Sequence, residues 1–216
     1  MSVITVERKI LQKNDEIAAR IRSKLQNKNI FSLNLLSSPG SGKTTILERS
    51  LEMLKGKIPV GVVEGDVQTD NDAQRIAKYG IPVVQIVTNG GCHLEAKLVA
   101  DALENLDLDQ IRLLFIENVG NLVCPASYDL GEDKKVVIVS TTEGDDKPAK
   151  YPKMFRVSQL CIINKMDLLP HLDFDVERFK RNAIKINPDL RFFEVSAKTK
   201  QGIEDWLKWL KEQIVN

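Results

Sequence analysis

Cysteine and histidine are scarce in this chain of 216 residues, with three of the first and two of the second. Three thiols are too few, and odd in number, for a disulfide framework. In a reducing compartment each is then a core thiol, a metal ligand or a nucleophile. An excess of one charge is also lacking: 31 lysines and arginines against 30 aspartates and glutamates leave a net charge of +1. Nothing in that balance calls for nucleic acid or an anionic membrane as partner. No apolar run approaches the roughly 18 residues that cross a bilayer, and the amino terminus lacks the apolar core of a secretory signal. A cytoplasmic protein is the expectation. Internal repeats and low-complexity tracts are absent, and the length suits one domain over residues 1–216 with a substantial core.

What is present is a phosphate-binding pattern. The run Ile30-Phe31-Ser32-Leu33-Asn34-Leu35-Leu36 leads into Ser37-Ser38-Pro39-Gly40-Ser41-Gly42-Lys43-Thr44, and Thr45-Ile46-Leu47-Glu48-Arg49 follows. That order is strand, tight loop, helix. A phosphate chain needs converging backbone N–H groups, glycines that let the backbone approach, a lysine on the outer phosphates and a hydroxyl on magnesium. Gly40, Ser41, Gly42, Lys43, Thr44 and Thr45 supply those parts. The usual opening glycine is Ser37 here, and a Gly-Ser turn with a chance lysine is the bland alternative.

Downstream, apolar runs ending in polar loops alternate with helical patterns. Strands are expected at residues 59–66, 81–88, 111–116, 135–141, 159–163 and 191–195, and helices at about 5–28, 69–79, 173–187 and 202–215. Another helix should open at Cys92-His93, and residues 143–148 read as a polar loop. The amino-terminal helix presents Ile10, Ile17, Ile21 and Leu25 on one face and should pack on the domain. The predicted fold class is α/β: a P-loop NTPase with a mostly parallel seven-stranded sheet and helices on both faces, ligands gathering beyond the carboxyl ends of the strands.

Two of those ends point to guanine. Asn164-Lys165-Met166-Asp167 follows one strand and Ser196-Ala197-Lys198 the next. A carboxylate at Asp167 accepts from guanine N1 and N2, whereas adenine leaves it desolvated and unpaired. Asn164 would hold the loop or meet N7, the Lys165 stem would cover the ring, and a backbone N–H in 196–198 would meet the carbonyl oxygen. Magnesium takes one or two carboxylates beside phosphate oxygens, so Thr44, Asp66 and Glu117 are its expected ligands. Asp70 and Asp72 read instead as helix caps. The stretch Glu117-Asn118-Val119-Gly120-Asn121 has no glutamine to orient a water, which predicts slow hydrolysis.

Cys161, inside an apolar strand, reads as an inert core thiol. Cys92, His93 and Cys124 stand just past two strands and could meet on the nucleotide-facing edge; two buried thiols and a capping histidine are the alternative. Such ligands suit zinc, nickel or copper, and three per chain leave a site that a symmetric dimer would complete.

The blocks Ser-Ser-Pro-Gly-Ser-Gly-Lys-Thr, Gly-Gly-Cys-His-Leu-Glu-Ala, Ile-Glu-Asn-Val-Gly-Asn-Leu-Val-Cys-Pro and Asn-Lys-Met-Asp-Leu-Leu together resemble the HypB family, SIMIBI-class GTPases of nickel-iron hydrogenase maturation. The resemblance runs from about Ser32 onward. It implies a GTP-hydrolysing metallochaperone acting as a homodimer with a HypA-like nickel chaperone, and with SlyD, on the hydrogenase large-subunit precursor. It implies nickel or zinc on Cys92, His93 and Cys124, and Lys147 or Lys150 reaching the partner's phosphates. A urease-type nickel GTPase, or a regulatory GTPase with structural cysteines, are the alternatives. Some members carry an amino-terminal cysteine cluster or histidine-rich stretch; this chain begins Met1-Ser2-Val3-Ile4, so only the site inside the GTPase domain is expected.

Overall fold

The computed structural model describes residues 6–68 and 71–215. Its seven strands are β1 (Phe31–Ser37), β2 (Val60–Asp66), β3 (Val83–Val87), β4 (Leu113–Glu117), β5 (Lys134–Ser140), β6 (Leu160–Asn164) and β7 (Arg191–Glu194). They form one sheet in the order β3-β2-β4-β1-β5-β6-β7, every recorded pairing parallel. The helices are α1 (Val6–Asn27), α2 (Lys43–Leu54), α3 (Asn71–Ala77), α4 (Ala96–Leu103), α5 (Lys147–Lys150), α6 (Pro152–Val157), α7 (Val176–Ile186) and α8 (Ile203–Val215). No helix among the described residues is long and apolar enough to cross a membrane.

Because side chains alternate along a strand, each buried strand feeds two layers. Leu33 and Leu35 of β1, with Leu113 and Phe115 of β4, pack under α2 and α8. On the opposite face Leu114 and Ile116 of β4 meet α1 and α4, and Val137 and Val139 of β5 meet α6 and α7. Parallel pairing sends every carboxyl end to one edge. β1 sits between β4 and β5 in register with both, Leu35 opposite Glu117 and Val136, so the loop after Ser37 emerges between theirs.

The amino-terminal helix packs through Ala18, Ile21 and Leu25, with Ile17 partly buried, whereas Ile10 of the expected stripe is 47% exposed. Buried Asn14 replaces it as the anchor. Its Nδ2 donates to the Asp129 carbonyl at 2.8 Å and its Oδ1 accepts from the Ala96 N–H at 2.8 Å. Arg22 adds a forked pair to Asp129, both contacts 2.7 Å. Gly131 lies beneath, at φ +85°, where an added Cβ would come within 2.6 Å of the Ala18 carbonyl oxygen. Gly131→Ala should therefore lift α1 and cost about 2–3 kcal/mol, read as a lowered denaturant midpoint.

Two expected elements differ. Cys92-His93 do not open a helix: α4 starts at Ala96, after Glu95 in extended conformation at φ −108°. Asn89 at φ 50° and Gly90 at φ 97° turn the chain out of β3, leaving both metal candidates in a loop. Residues 143–148 are not a plain loop either, because Pro148 and Pro152 stand in the first turns of α5 and α6, where a missing N–H costs nothing. Thr5, Thr69 and Asp70 lie outside the described residues.

Candidate functional site

Ser37 closes β1, and the chain turns through Gly40 at φ +77° and Gly42 at φ +89° into α2. A Cβ on Gly42 would lie 2.4 Å from Asn164 Nδ2, so only glycine lets this loop lie against the base-side loop. α2 begins at Lys43, so its first free N–H groups and the positive end of its dipole face a cleft of about 570 Å³. Residues 37–45, Glu64, Asp66, Asp72, Gly120 and Lys165 are among those lining it.

Charge in the cleft is concentrated and buried. Lys43 Nζ donates to the Asn118 carbonyl and lies 3.1 Å from Glu117 Oε1. The Thr44 hydroxyl is 2.6 Å from that same oxygen and 3.2 Å from Asp72 Oδ2; with one proton to give, it favours the nearer. Glu64 completes a group whose carboxylate oxygens, with those of Asp72 and Glu117, lie within 4.8 Å of one another. Burial, reinforced by the neighbouring Glu117, pushes the Glu64 carboxyl far above the usual carboxylate range. Glu64 Oε2 and Glu117 Oε2 are both buried without a hydrogen-bond partner. A hard divalent cation is what oxygens so placed would satisfy.

The sequence expectation named Asp66 beside Glu117. Asp66 lines the cleft at the end of β2 and accepts from the Gln68 N–H at 3.0 Å, but it is not a member of the group around Thr44. Asp72, expected as a cap, is in that group and also takes Arg75 at 2.8 Å. Glu64 was missed, although strand alternation puts it on the same face as Asp66 two residues on.

On the other side the two loops expected to hold the base are joined to the phosphate loop. Asn164 Nδ2 donates to the Ser41 carbonyl at 2.9 Å and its Oδ1 accepts from the Ala197 N–H at 3.1 Å. Lys165, left-handed at φ 62°, stretches its stem so that Nζ reaches the Gly40 carbonyl at 2.7 Å. The Asp167 carboxylate accepts from the Ser196 hydroxyl at 2.6 Å, and Arg49 Nε from α2 donates to the Ala197 carbonyl at 3.0 Å. Lys198 follows in the same loop, just before the Thr199 N–H, which donates to Ser196 Oγ at 3.1 Å. Lys147 is 3.3 Å from Glu143, which also receives the Ser38 hydroxyl. Lys150 pairs with Asp146 at 2.7 Å, its side chain 61% exposed.

Beyond β3 and β4, the ligand atoms of Cys92, His93 and Cys124 lie within 4.8 Å of one another. Cys92 Sγ is 3.6 Å from His93 Nδ1. Both thiols are partly exposed, unlike Cys161, which is wholly buried and whose thiol burial pushes up. The hydrogen bond to the neighbouring Cys124 sulfur, with burial, holds the Cys92 thiol protonated to higher pH than usual. Burial lowers the His93 pKa and so favours the neutral, ligating imidazole. Its ring packs 4.0 Å from that of Tyr128, and its Nε2 is buried without a hydrogen bond. Val123, next to Cys124, is 60% exposed.

A phosphate loop on the central strand of an all-parallel sheet, with carboxylates on the neighbouring strand ends, defines a P-loop nucleotide-binding protein. Residues 32–194 match the family of CobW/HypB/UreG nucleotide-binding domains. The hydrogenase maturation factor HypB of Azotobacter vinelandii is 53% identical over 211 residues, 98% of this chain and 70% of that one. The crystal structure of Helicobacter pylori HypB in complex with nickel superposes with a TM-score of 0.89 at 41% identity, covering 93% of this chain and 94% of the other. That of Archaeoglobus fulgidus HypB gives 0.88 at 38% identity, covering 94% and 99%. The chain belongs to the HypB family of hydrogenase maturation factors.

Proposed function

We propose that this protein hydrolyses GTP with magnesium and uses the cycle to deliver nickel to the large-subunit precursor of nickel-iron hydrogenase, working as a homodimer with a HypA-like nickel chaperone. The observation that carries this reading is the convergence of Cys92, His93 and Cys124 on one sheet edge with the phosphate cleft. A relative 41% identical crystallises in complex with nickel, which supports nickel over zinc as cargo.

In this reading the Lys43 ammonium and the N–H groups opening α2 hold the phosphates, and Asp167 selects guanine while the Lys165 stem covers its ring. Thr44 and Glu117, with Glu64 and Asp72 beside them, are the groups that would hold magnesium; the unpartnered carboxylate oxygens fit that demand. Magnesium held there would supply positive charge against the phosphate oxygens, and the reaction these residues would support is attack of water on the outer phosphorus with GDP as leaving group. No glutamine stands in 117–121 to align that water, so turnover by the isolated chain is slow. Lys150 is the residue assigned here to the partner's phosphates, because its side chain is exposed on α5 whereas Lys147 is held by Glu143.

Gel filtration with light scattering and metal analysis tests the reading. With nickel and a non-hydrolysable GTP analogue the protein should run as a dimer retaining nickel; a metal-free monomer under every condition would refute it. Single-turnover hydrolysis at signalling-fast rates would remove the slow-cycle element alone.

A further inference from the structure

One buried residue makes hydrogen bonds both to the phosphate-loop lysine and to the two segments that carry the metal candidates. Asn118, 0% exposed, is the first residue after β4. Its carbonyl accepts from Lys43 Nζ. Its carboxamide oxygen accepts two backbone N–H groups, from Leu94 at 3.1 Å and from Val119 at 2.9 Å. Leu94 adjoins His93 and lies two residues past Cys92; Val119 begins the segment that ends in Cys124. The amide nitrogen donates to Asn34 Oδ1 at 3.3 Å and the backbone N–H to the Leu35 carbonyl at 3.0 Å, fixing the residue to β1.

We infer that Asn118 is the coupling residue between the two sites: its carbonyl reports the position of Lys43, and its side-chain oxygen holds both segments that carry Cys92, His93 and Cys124. This rests on the reading of those sites given above. Phosphate oxygens would draw the Lys43 ammonium away from the carbonyl. The freed peptide group can rotate, and because it carries the Val119 N–H, rotation breaks that bond to the Asn118 carboxamide oxygen; the carboxamide, no longer held from that side, can reorient and release the Leu94 N–H. Buried N–H groups that lose their acceptor move to regain one, and the ligands move with them. Gly120 transmits a shift of the same segment, since a Cβ there would meet Pro39 of the phosphate loop at 3.3 Å.

The contrast is Asn14, which ties the same two segments farther along, at Ala96 and Asp129, and among the described residues its side chain is recorded with those two partners alone. It is a fixed clasp, and Asn118 a movable one.

The test is nickel affinity of the full chain, by competition with a chromophoric chelator in dilute protein, with and without magnesium and GDP. GDP should weaken nickel binding by about fivefold or more, and nickel should weaken GDP binding by the same factor. In Asn118→Ala the two nickel affinities should converge to within about twofold. Asn14→Ala should lower both and leave their ratio intact. A ratio unchanged in Asn118→Ala overturns the inference, because a merely structural asparagine would lower both affinities alike. If that variant does not fold, amide exchange in the unsubstituted chain decides. With the amides of Lys43 and Thr44 protected by GDP, those of Leu94 and Val119 should exchange faster, and no change there overturns the inference. Failure of GDP to protect the phosphate-loop amides would instead defeat the nucleotide reading, and the inference with it.

Discussion

Asp167→Asn should abolish useful GTP binding, lowering affinity by roughly two to four orders of magnitude while leaving the fold intact. In the structure the carboxylate is already oriented by the Ser196 hydroxyl at 2.6 Å, in a loop tied through Asn164 to Ser41. Guanine would present two donors, N1–H and N2–H, to an acceptor that is fixed before the base arrives. An amide at 167 turns one acceptor into a donor facing donors, so the loss includes a repulsion as well as a missing bond. Xanthosine triphosphate carries an oxygen where guanine has its exocyclic amine, and should bind this variant better than GTP does. Titration with a fluorescent nucleotide measures both. Equal GTP affinity in the variant and the parent would refute the assignment of the base site.

The second large effect is expected at the thiols. Replacing Cys92 and Cys124 together by serine should weaken nickel binding about a hundredfold or more, because losing even a group that supports a ligand costs about 10–100-fold. Cys161→Ala, which empties a position buried in the sheet, should cost stability without touching nickel affinity. Unchanged nickel and zinc binding in the double variant would leave a regulatory GTPase with structural cysteines as the better reading.

The phosphate loop and the seven parallel strands were legible because each rests on local rules: alternating strands and helices, and a short motif at a strand end. The grouping of carboxylates around Thr44 was only half legible. Glu117 was read from its strand end, but Asp72 looked like a cap, because nothing in the sequence says that α3 leans its first turn toward Thr44. Glu64 looked like one more residue of a buried strand. Cys92 and His93 were expected to open a helix, while the left-handed turn at Asn89 and Gly90 sets the true start later.

By itself the sequence determined the order of elements, the phosphate loop, and which thiols and imidazole are candidates to hold a metal, since these follow from residue type and spacing along the chain. The tertiary structure alone decided which carboxylates gather around Thr44, that residues 92, 93 and 124 meet, and that Asn14 and Asn118 hold the segments bearing them. Those are contacts across the sheet and between loops remote in sequence, fixed by strand order and by where buried N–H groups find acceptors.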